Sequence, residues 1–371
     1  MAAPGLRIAT RKGLFFTSRD SGWKLASPNF LGDNCSAVLR HPVSNAVYVA
    51  LDHGHFGVKL HRSRDDGESY EEIPAPAYPP TDENAEPWVD MMGRTIPDSL
   101  QLIWSLEAGH ADQVERLWAG TIPGGLFCSD DGGDSWQLVE SLWNDPLRRK
   151  WFGGGMDFPG IHSILVHPDK PEEITIAVSC GGIWQSTDDG ASWFSIGEGM
   201  KAPYTPPEWA SDPGIQDVHR LARCRSMPDR MWLQHHAGIY RSDDAGRSWK
   251  IIEDVKPSSF GFAAVAHPQQ PDTAWFVPEI KDEHRIPADG RVVVNRTDDG
   301  GNSFKSFYQG LPGPNAYDLV FRHALDVDQS GEILAMGSTT GSLWVSEDGG
   351  KSWQTVSNHL PPIYALRFDH S

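Results

Sequence analysis

Cysteine is scarce in this chain. Its 371 residues hold four, Cys35, Cys128, Cys180 and Cys224, with no CxxC pair among them. That scatter excludes a disulfide framework and a cysteine-built zinc knuckle, and it fits reduced thiols. Positive charge is also short: 32 Lys and Arg stand against 50 Asp and Glu, for a formal charge of −18, and the basic residues form no run. Phosphate backbones and anionic bilayers are recognised through a basic footprint, so neither nucleic acid nor membrane is an expected partner. No stretch approaches the roughly 18 apolar residues of a membrane span. Residues 1–13, MAAPGLRIATRKG, lack the apolar centre of a secretory signal, and the expected compartment is the cytoplasm. Long helical periodicity is missing as well.

What the chain does have is 15 Trp, 37 Gly and 28 Pro, a composition suited to many short strands and tight turns. It also repeats itself. Seven segments share one pattern: SRDSGW from Ser18, SRDDGESY from Ser63, SDDGGDSW from Ser129, STDDGASW from Ser186, SDDAGRSW from Ser242, TDDGGNSF from Thr297 and SEDGGKSW from Ser346. Their third-position aspartates are Asp20, Asp65, Asp131, Asp188, Asp244, Asp299 and Asp348, at steps of 45, 66, 57, 56, 55 and 49 residues. Each step matches one four-stranded blade plus a loop of variable length. The predicted fold is therefore all-β: a seven-bladed β-propeller of four-stranded blades, formed by residues 1–371 as a single domain.

The pattern Ser/Thr-x-Asp-x-Gly-x-Ser-aromatic has a direct physical reading. In a tight turn between antiparallel strands, the hydroxyl and the carboxylate accept from amides that have no ladder partner, and Gly supplies a positive φ. The aromatic closes the hairpin: Trp136, Trp193, Trp249 and Trp353, with Tyr70 and Phe304 as variants, are expected to pack between blades. None of the seven copies has the bidentate Glu at loop position 12 of an EF-hand, so their role is structural.

A common order runs through the repeats: an apolar inner strand ending in His-Pro or an equivalent turn, a second strand, a Gly-rich hairpin, a third strand, the repeated motif and an outer strand. Predicted inner strands are residues 35–41, 102–108, 161–167, 218–224, 261–267, 317–323 and 363–369. The last follows the final motif and has none of its own, whereas the N-terminus, from Leu6, has later strands and a motif but no inner strand. The C-terminal strand is thus expected to complete the N-terminal blade and close the ring, which removes exposed sheet edges.

His41, His167, His267 and His323 occupy matching positions and read as turn residues. Unmatched groups gather at the opposite ends of the strands, where residues 74–100, 144–160, 197–216 and 279–290 form long insertions. Function on propellers is usually built from such loops. The catalytic candidates there are Asp318, Tyr364, Glu107 and His162. The substrate-binding candidates are His219, Arg220, Arg11, Lys12, His235, His236 and Glu279, with Asp157, Asp282 and Arg285 nearby in sequence. Adjacent His235 and His236 on a strand end point to opposite sides, so one of the two is expected to face the site.

The repeated motif is the Asp box of sialidases, related glycoside hydrolases and many non-enzymatic propellers. Together with TRKG (from Thr10), WSLE (from Trp104), GGGMDFPGIHSI (from Gly153), VHRLA (from Val218), SSFGF (from Ser258) and EHRIPADGRV (from Glu283), it makes the chain resemble, along its length, a bacterial family labelled sialidase-like or glycosyl hydrolase BNR-repeat proteins. The resemblance implies a carbohydrate-active propeller. A true sialidase is matched only in part: the family's FRIP-type arginine motif is absent, and Arg11, Arg220 and Arg285 would have to supply its carboxylate clamp, with Tyr364 or Glu107 assisting.

Three functional classes follow. A glycoside-active enzyme would place two carboxylates about a glycosidic bond, from Asp318, Glu107, Asp157 and Glu279. A metal-assisted hydrolase or lyase would use His162, His219, His235 or His236 around a divalent cation. A non-catalytic binding or assembly propeller, like the photosystem assembly factors that share the box, would need neither. The expected ligand is a small polar molecule or a carbohydrate; the sequence names no cofactor, metal or oligomeric state.

Overall fold

The computed structural model describes residues 4–80, 86–154 and 156–369. They form seven antiparallel sheets, the blades of a seven-bladed β-propeller. Five sheets have four strands, one has three and one has five. The extra strand of the last is His284–Pro287, which pairs with Ala274–Lys281. Among the described residues no helix is long and apolar enough to cross a membrane. Three residues of the predicted N-terminal reading, 1–3, and the tail beyond Asp369 lie outside the described residues, as do residues 81–85 of the 74–100 insertion and Gly155 of the 144–160 insertion.

The chain divides into two compact units, residues 1–40 with 219–371, and residues 41–218. In the first, Ile363–Phe368 pairs antiparallel with Gly5–Thr10, which pairs with Gly13–Ser18. The C-terminal strand therefore completes the N-terminal blade, as the complementary gaps at the two ends required. This blade is the three-stranded one: in place of an outer strand, residues 26–29 run beside Gly13–Ser18 through the Ala26 and Asn29 amides. The core of this unit gathers Leu6, Ile8, Leu366 and Phe368 with Trp275, Trp344 and Val345. The second unit has its own core, in which Trp118, Trp151 and Trp184 pack with Ile161, Ile164 and Ile176.

The repeated motifs form nearly identical turns. In the copy at Ser186, Ser186 Oγ donates to Asp188 Oδ1 at 2.8 Å and accepts from the Gly190 amide, while Asp188 accepts from the Ser192 amide and hydroxyl. The same bonds recur from Ser63 to Ser346. The degenerate first copy differs, with Ser18 and Ser21 bonding each other's backbone instead. An aromatic and an arginine tie some of these turns to the neighbouring repeat. Within the first unit, Trp275 in strand Ala274–Lys281 is fully buried and donates from Nε1 to Gly349 O of the next motif at 2.9 Å, and Arg296 donates to the same oxygen. In the second unit, Tyr48 and Arg62 do likewise to Gly132 O. Gly350 takes a φ of +84° beneath Trp275, 3.0 Å from where a Cβ would meet Nε1, so only glycine fits.

Two predicted details are corrected. The seventh repeat's inner strand is Leu325–Val327, whereas residues 317–323 are irregular. The cause is the turn. His41, His167 and His267 accept turn amides at Nδ1, but in this repeat Asp328 Oδ1 does so, from Gly331 and Ile333. His323 is thereby freed from the turn role and instead bridges in parallel to Ala365.

Candidate functional site

The irregular segment before Leu325 carries Asp318. Its carboxylate is 8 % exposed and accepts from Ser338 Oγ at 2.8 Å and from Thr340 Oγ1. Ser338 directly follows strand Leu334–Gly337, so the blade itself fixes the acid. Glu279 reaches the same neighbourhood from strand Ala274–Lys281. That strand pairs with Gly261–Ala266 through a register shift between Gly261 and Ala264, and the Glu279 amide donates to Phe260 O at 2.8 Å. Gly261 is needed at the irregularity, since a Cβ there would sit 2.3 Å from Val277 O. Irregularities of this kind re-aim a side chain.

Glu279 is 1 % exposed, and neither carboxyl oxygen has a hydrogen-bond partner. Burial pushes its pKa up to about 8; the Val320 amide, near enough to favour the anion without closing a hydrogen bond of ordinary geometry, works against this, and the Asp318 charge adds to it. Glu279 is therefore a carboxylic acid that keeps its proton at neutral pH, near an Asp318 carboxyl that two hydroxyls hold at Oδ1. Tyr317, the residue before Asp318, is 63 % exposed and offers an aromatic face at this position. Sequence reasoning missed it; a lone aromatic beside a candidate acid was the available signal.

A second group lies in the same unit. His219, in strand Val218–Arg223, stacks on Phe262 with ring centroids 4.6 Å apart, and its Nδ1 contacts Gly261 O at 2.6 Å. A carbonyl oxygen only accepts, so Nδ1 carries the proton. His236 stands edge-on to His219 at 5.5 Å, while His235 turns to Tyr240 and takes the Ala237 amide at Nδ1. Arg322 donates from Nε to the His219 carbonyl at 2.9 Å.

The remaining candidates belong to both units. His162, in the second unit, is fully buried with Nε2 on Val218 O at 2.8 Å and Nδ1 on Ser163 Oγ at 3.0 Å, so both ring nitrogens are engaged locally. Glu107 lies in strand Leu102–Ala108 of that unit, opposite Trp118, and Asp157 is exposed. Tyr364 packs its ring 6.2 Å from Phe321. Arg11 and Lys12 form the exposed tip of a hairpin. Arg285 is bonded to Asp282, and the Arg220 charge bears on buried Asp326.

Comparison with known proteins supports the architecture. The Sortilin-Vps10 family (sortilin, neurotensin receptor 3) matches residues 237–365. The oligoxyloglucan-reducing end-specific xyloglucanase of Emericella nidulans is 25 % identical over 253 residues, covering 67 % of this chain and 26 % of the relative. The photosystem II assembly lipoprotein Ycf48 of Synechococcus sp. (strain CC9902) is 24 % identical over 259 residues, 61 % of this chain and 68 % of that protein. Among solved structures, the GH74 xyloglucanase of Xanthomonas campestris superposes with a TM-score of 0.65 at 15 % identity, over 96 % of this chain and 53 % of the enzyme. The chain spans about a quarter of the curated xyloglucanase that it matches. Its similarities are to carbohydrate-active propellers and to an assembly propeller.

Proposed function

We propose that this propeller hydrolyses glycosidic bonds, with Glu279 as the proton donor and Asp318 as its carboxylate partner. One observation carries the reading: a buried carboxylic acid with no hydrogen-bond partner of its own, held protonated beside a second carboxylate that Ser338 and Thr340 fix in place. Glycoside hydrolysis needs that inequality. The protonated group delivers its proton to the leaving oxygen, while the charged group steadies the oxocarbenium-like transition state or activates what attacks it. Tyr317 supplies a face on which a sugar ring can stack. The xyloglucanase relatives support neutral oligosaccharides as the first substrates to offer.

The test is release of reducing ends from xyloglucan oligosaccharides and a panel of neutral and acidic glycosides. Glu279→Gln and Asp318→Asn should each lower turnover by at least about 100-fold with folding intact. Turnover that survives both substitutions would refute the assignment. A second reading, a non-catalytic assembly propeller, is favoured by the greater share of Ycf48 that the chain covers. It predicts no turnover on any glycoside, with binding of a peptide instead.

A further inference from the structure

The pair His219 and His236 does work that the carboxylate pair does not require. Asp217 stands two residues before His219, directly ahead of strand Val218–Arg223, the spacing at which side chains of an extended chain share a face. Two peptide bonds fix that relation. Asp217, His219 and His236 each offer a ligand atom, and the three atoms lie within 4.8 Å of one another. Asp217 and His219 are buried and His236 is half-buried.

We propose that these three residues bind a divalent first-row transition metal, with zinc the best fit to the donor set. Two imidazoles and one carboxylate suit such a cation, and three protein ligands leave room for water or a substrate oxygen. The second observation is the partner of His219. Ligating histidines donate their other ring N–H to a carbonyl or carboxylate, which fixes tautomer and orientation. Gly261 O does this for Nδ1 at 2.6 Å, which assigns ligation to Nε2, while Phe262 stacks on the ring and holds its plane. The Asp217 carboxylate offsets part of the cation's charge, and its own backbone amide is held by Tyr204 Oη at 2.9 Å. Metal–ligand bonds of about 2.0–2.2 Å bring such donors to roughly 3–3.5 Å apart, so side-chain rotations of about 1 Å close the site.

The sequence contains the motif in the form DVHR, Asp217 to Arg220, and the HH pair that follows in the next hairpin. The face shared by Asp217 and His219 excludes Arg220, which points the other way and bears on Asp326. The site is separate from the Glu279 acid, although Gly261 lies between the two: its carbonyl takes the His219 proton, and its strand pairs with the one that carries Glu279.

The experiment uses the full chain without a histidine tag, stripped with a chelator and dialysed. Zinc titration followed by calorimetry, and cobalt titration followed by visible absorption, should each give one site per chain. His236→Gln should abolish both signals while melting like the metal-free wild type, because His236 is half-buried and its loss leaves the strands intact. Asp217→Asn should weaken binding at least tenfold. Should His219→Ala fail to fold, the first two variants suffice. Absence of uptake by the wild type at micromolar metal would overturn the proposal, as would unchanged stoichiometry and affinity in His236→Gln and Asp217→Asn.

Discussion

Arg7 donates from Nε to Asp369 Oδ1 at 2.8 Å, a bond between residues 362 positions apart. Arg7 is 3 % exposed, and its guanidinium also lies 5.1 Å from the Phe16 ring centre. The pair sits where Ile363–Phe368 joins Gly5–Thr10, so it ties the two chain ends inside one blade. Breaking a buried pair from one side strands the remaining charge, at a cost of about 3–5 kcal/mol. Asp369→Ala should therefore lower the free energy of unfolding in urea by about that much. Deleting residues 363–371 goes further: it opens a sheet edge and removes Leu366 and Phe368 from the core, and the unfolding transition should lose its cooperativity. A truncated chain that melts like the parent would contradict closure of the blade by the C-terminal strand.

Trp275 is expected to be among the most sensitive core positions. Its ring is fully buried, stacks on His267 at 5.7 Å and donates to Gly349 O in the next repeat. Trp275→Ala removes both packing and that bond, at a cost of roughly 3–5 kcal/mol. Trp275→Phe keeps much of the area but leaves the carbonyl to Arg296 alone, and should cost about 1–3 kcal/mol. Chemical denaturation of the two variants measures the difference; equal losses would mean that the ring area kept by Phe contributes nothing, and a Phe variant as stable as the parent would mean that the hydrogen bond contributes nothing.

The turn aspartates make the fold acid-labile. Hydrogen bonds from the Ser69 hydroxyl and amide hold the Asp65 carboxyl down at about 2, and Asp131, Asp188, Asp244, Asp299 and Asp348 are lowered in the same direction. A depressed folded-state pKa gives stability that is present above the unfolded value, near 4, and lost as pH falls toward the folded one. The melting temperature should drop steeply between about pH 4 and pH 2. Asp188→Asn, in an exposed turn, should melt slightly earlier at pH 7 and show a shallower acid slope, yet bind ligand as the parent does. Lost activity in that variant with unchanged melting would mean that these turns belong to the working surface.

The repeated architecture was legible because each turn demands the same hydroxyl, carboxylate and glycine at fixed offsets, so the sequence repeats wherever the backbone does. Legibility failed where one residue type was exchanged for another in the same role. Asp328 replaces histidine as the turn acceptor of the seventh repeat, and the His-Pro spacing therefore pointed to His323 and to the wrong inner strand. Both YDLVF and ALDV are apolar enough to be that strand, and only the ladder partner of Leu325, Met336, decides between them.

At the site, residue types could be read but not their partners. His162 and His219 begin equivalent strands, yet His162 bonds Ser163 and Val218 O whereas His219 bonds Gly261 O and stands with Asp217 and His236 in one cluster. Glu279 and Asp318 were visible as acids near loops, whereas the burial that separates their roles depends on a sheet irregularity at Gly261 that no local pattern announces. Asp217 was overlooked although the Asp-x-His spacing before a strand places both side chains on one face.

Glu279 yields a pH dependence with the opposite sign to that of the turn aspartates. Its folded-state pKa, about 8, lies above the ordinary glutamate value near 4.5, so the folded protein holds a proton that the unfolded chain has released. Between about pH 4.5 and pH 8 the unfolded state binds fewer protons than the folded one, and stability falls as pH rises through this window. Above it the buried carboxylate is charged in both states and the full cost remains. Glu279→Gln removes the titration while keeping the shape, so its melting temperature should stay level from pH 5 to pH 8 in the range where the wild type declines. The same group sets the alkaline limb of any glycosidase activity: turnover by the wild type should fall above about pH 8, where the acid has lost the proton it must donate. Parallel melting curves for wild type and Glu279→Gln across this range would show that Glu279 is ionised at neutral pH, and would remove the proton donor from the proposed reaction.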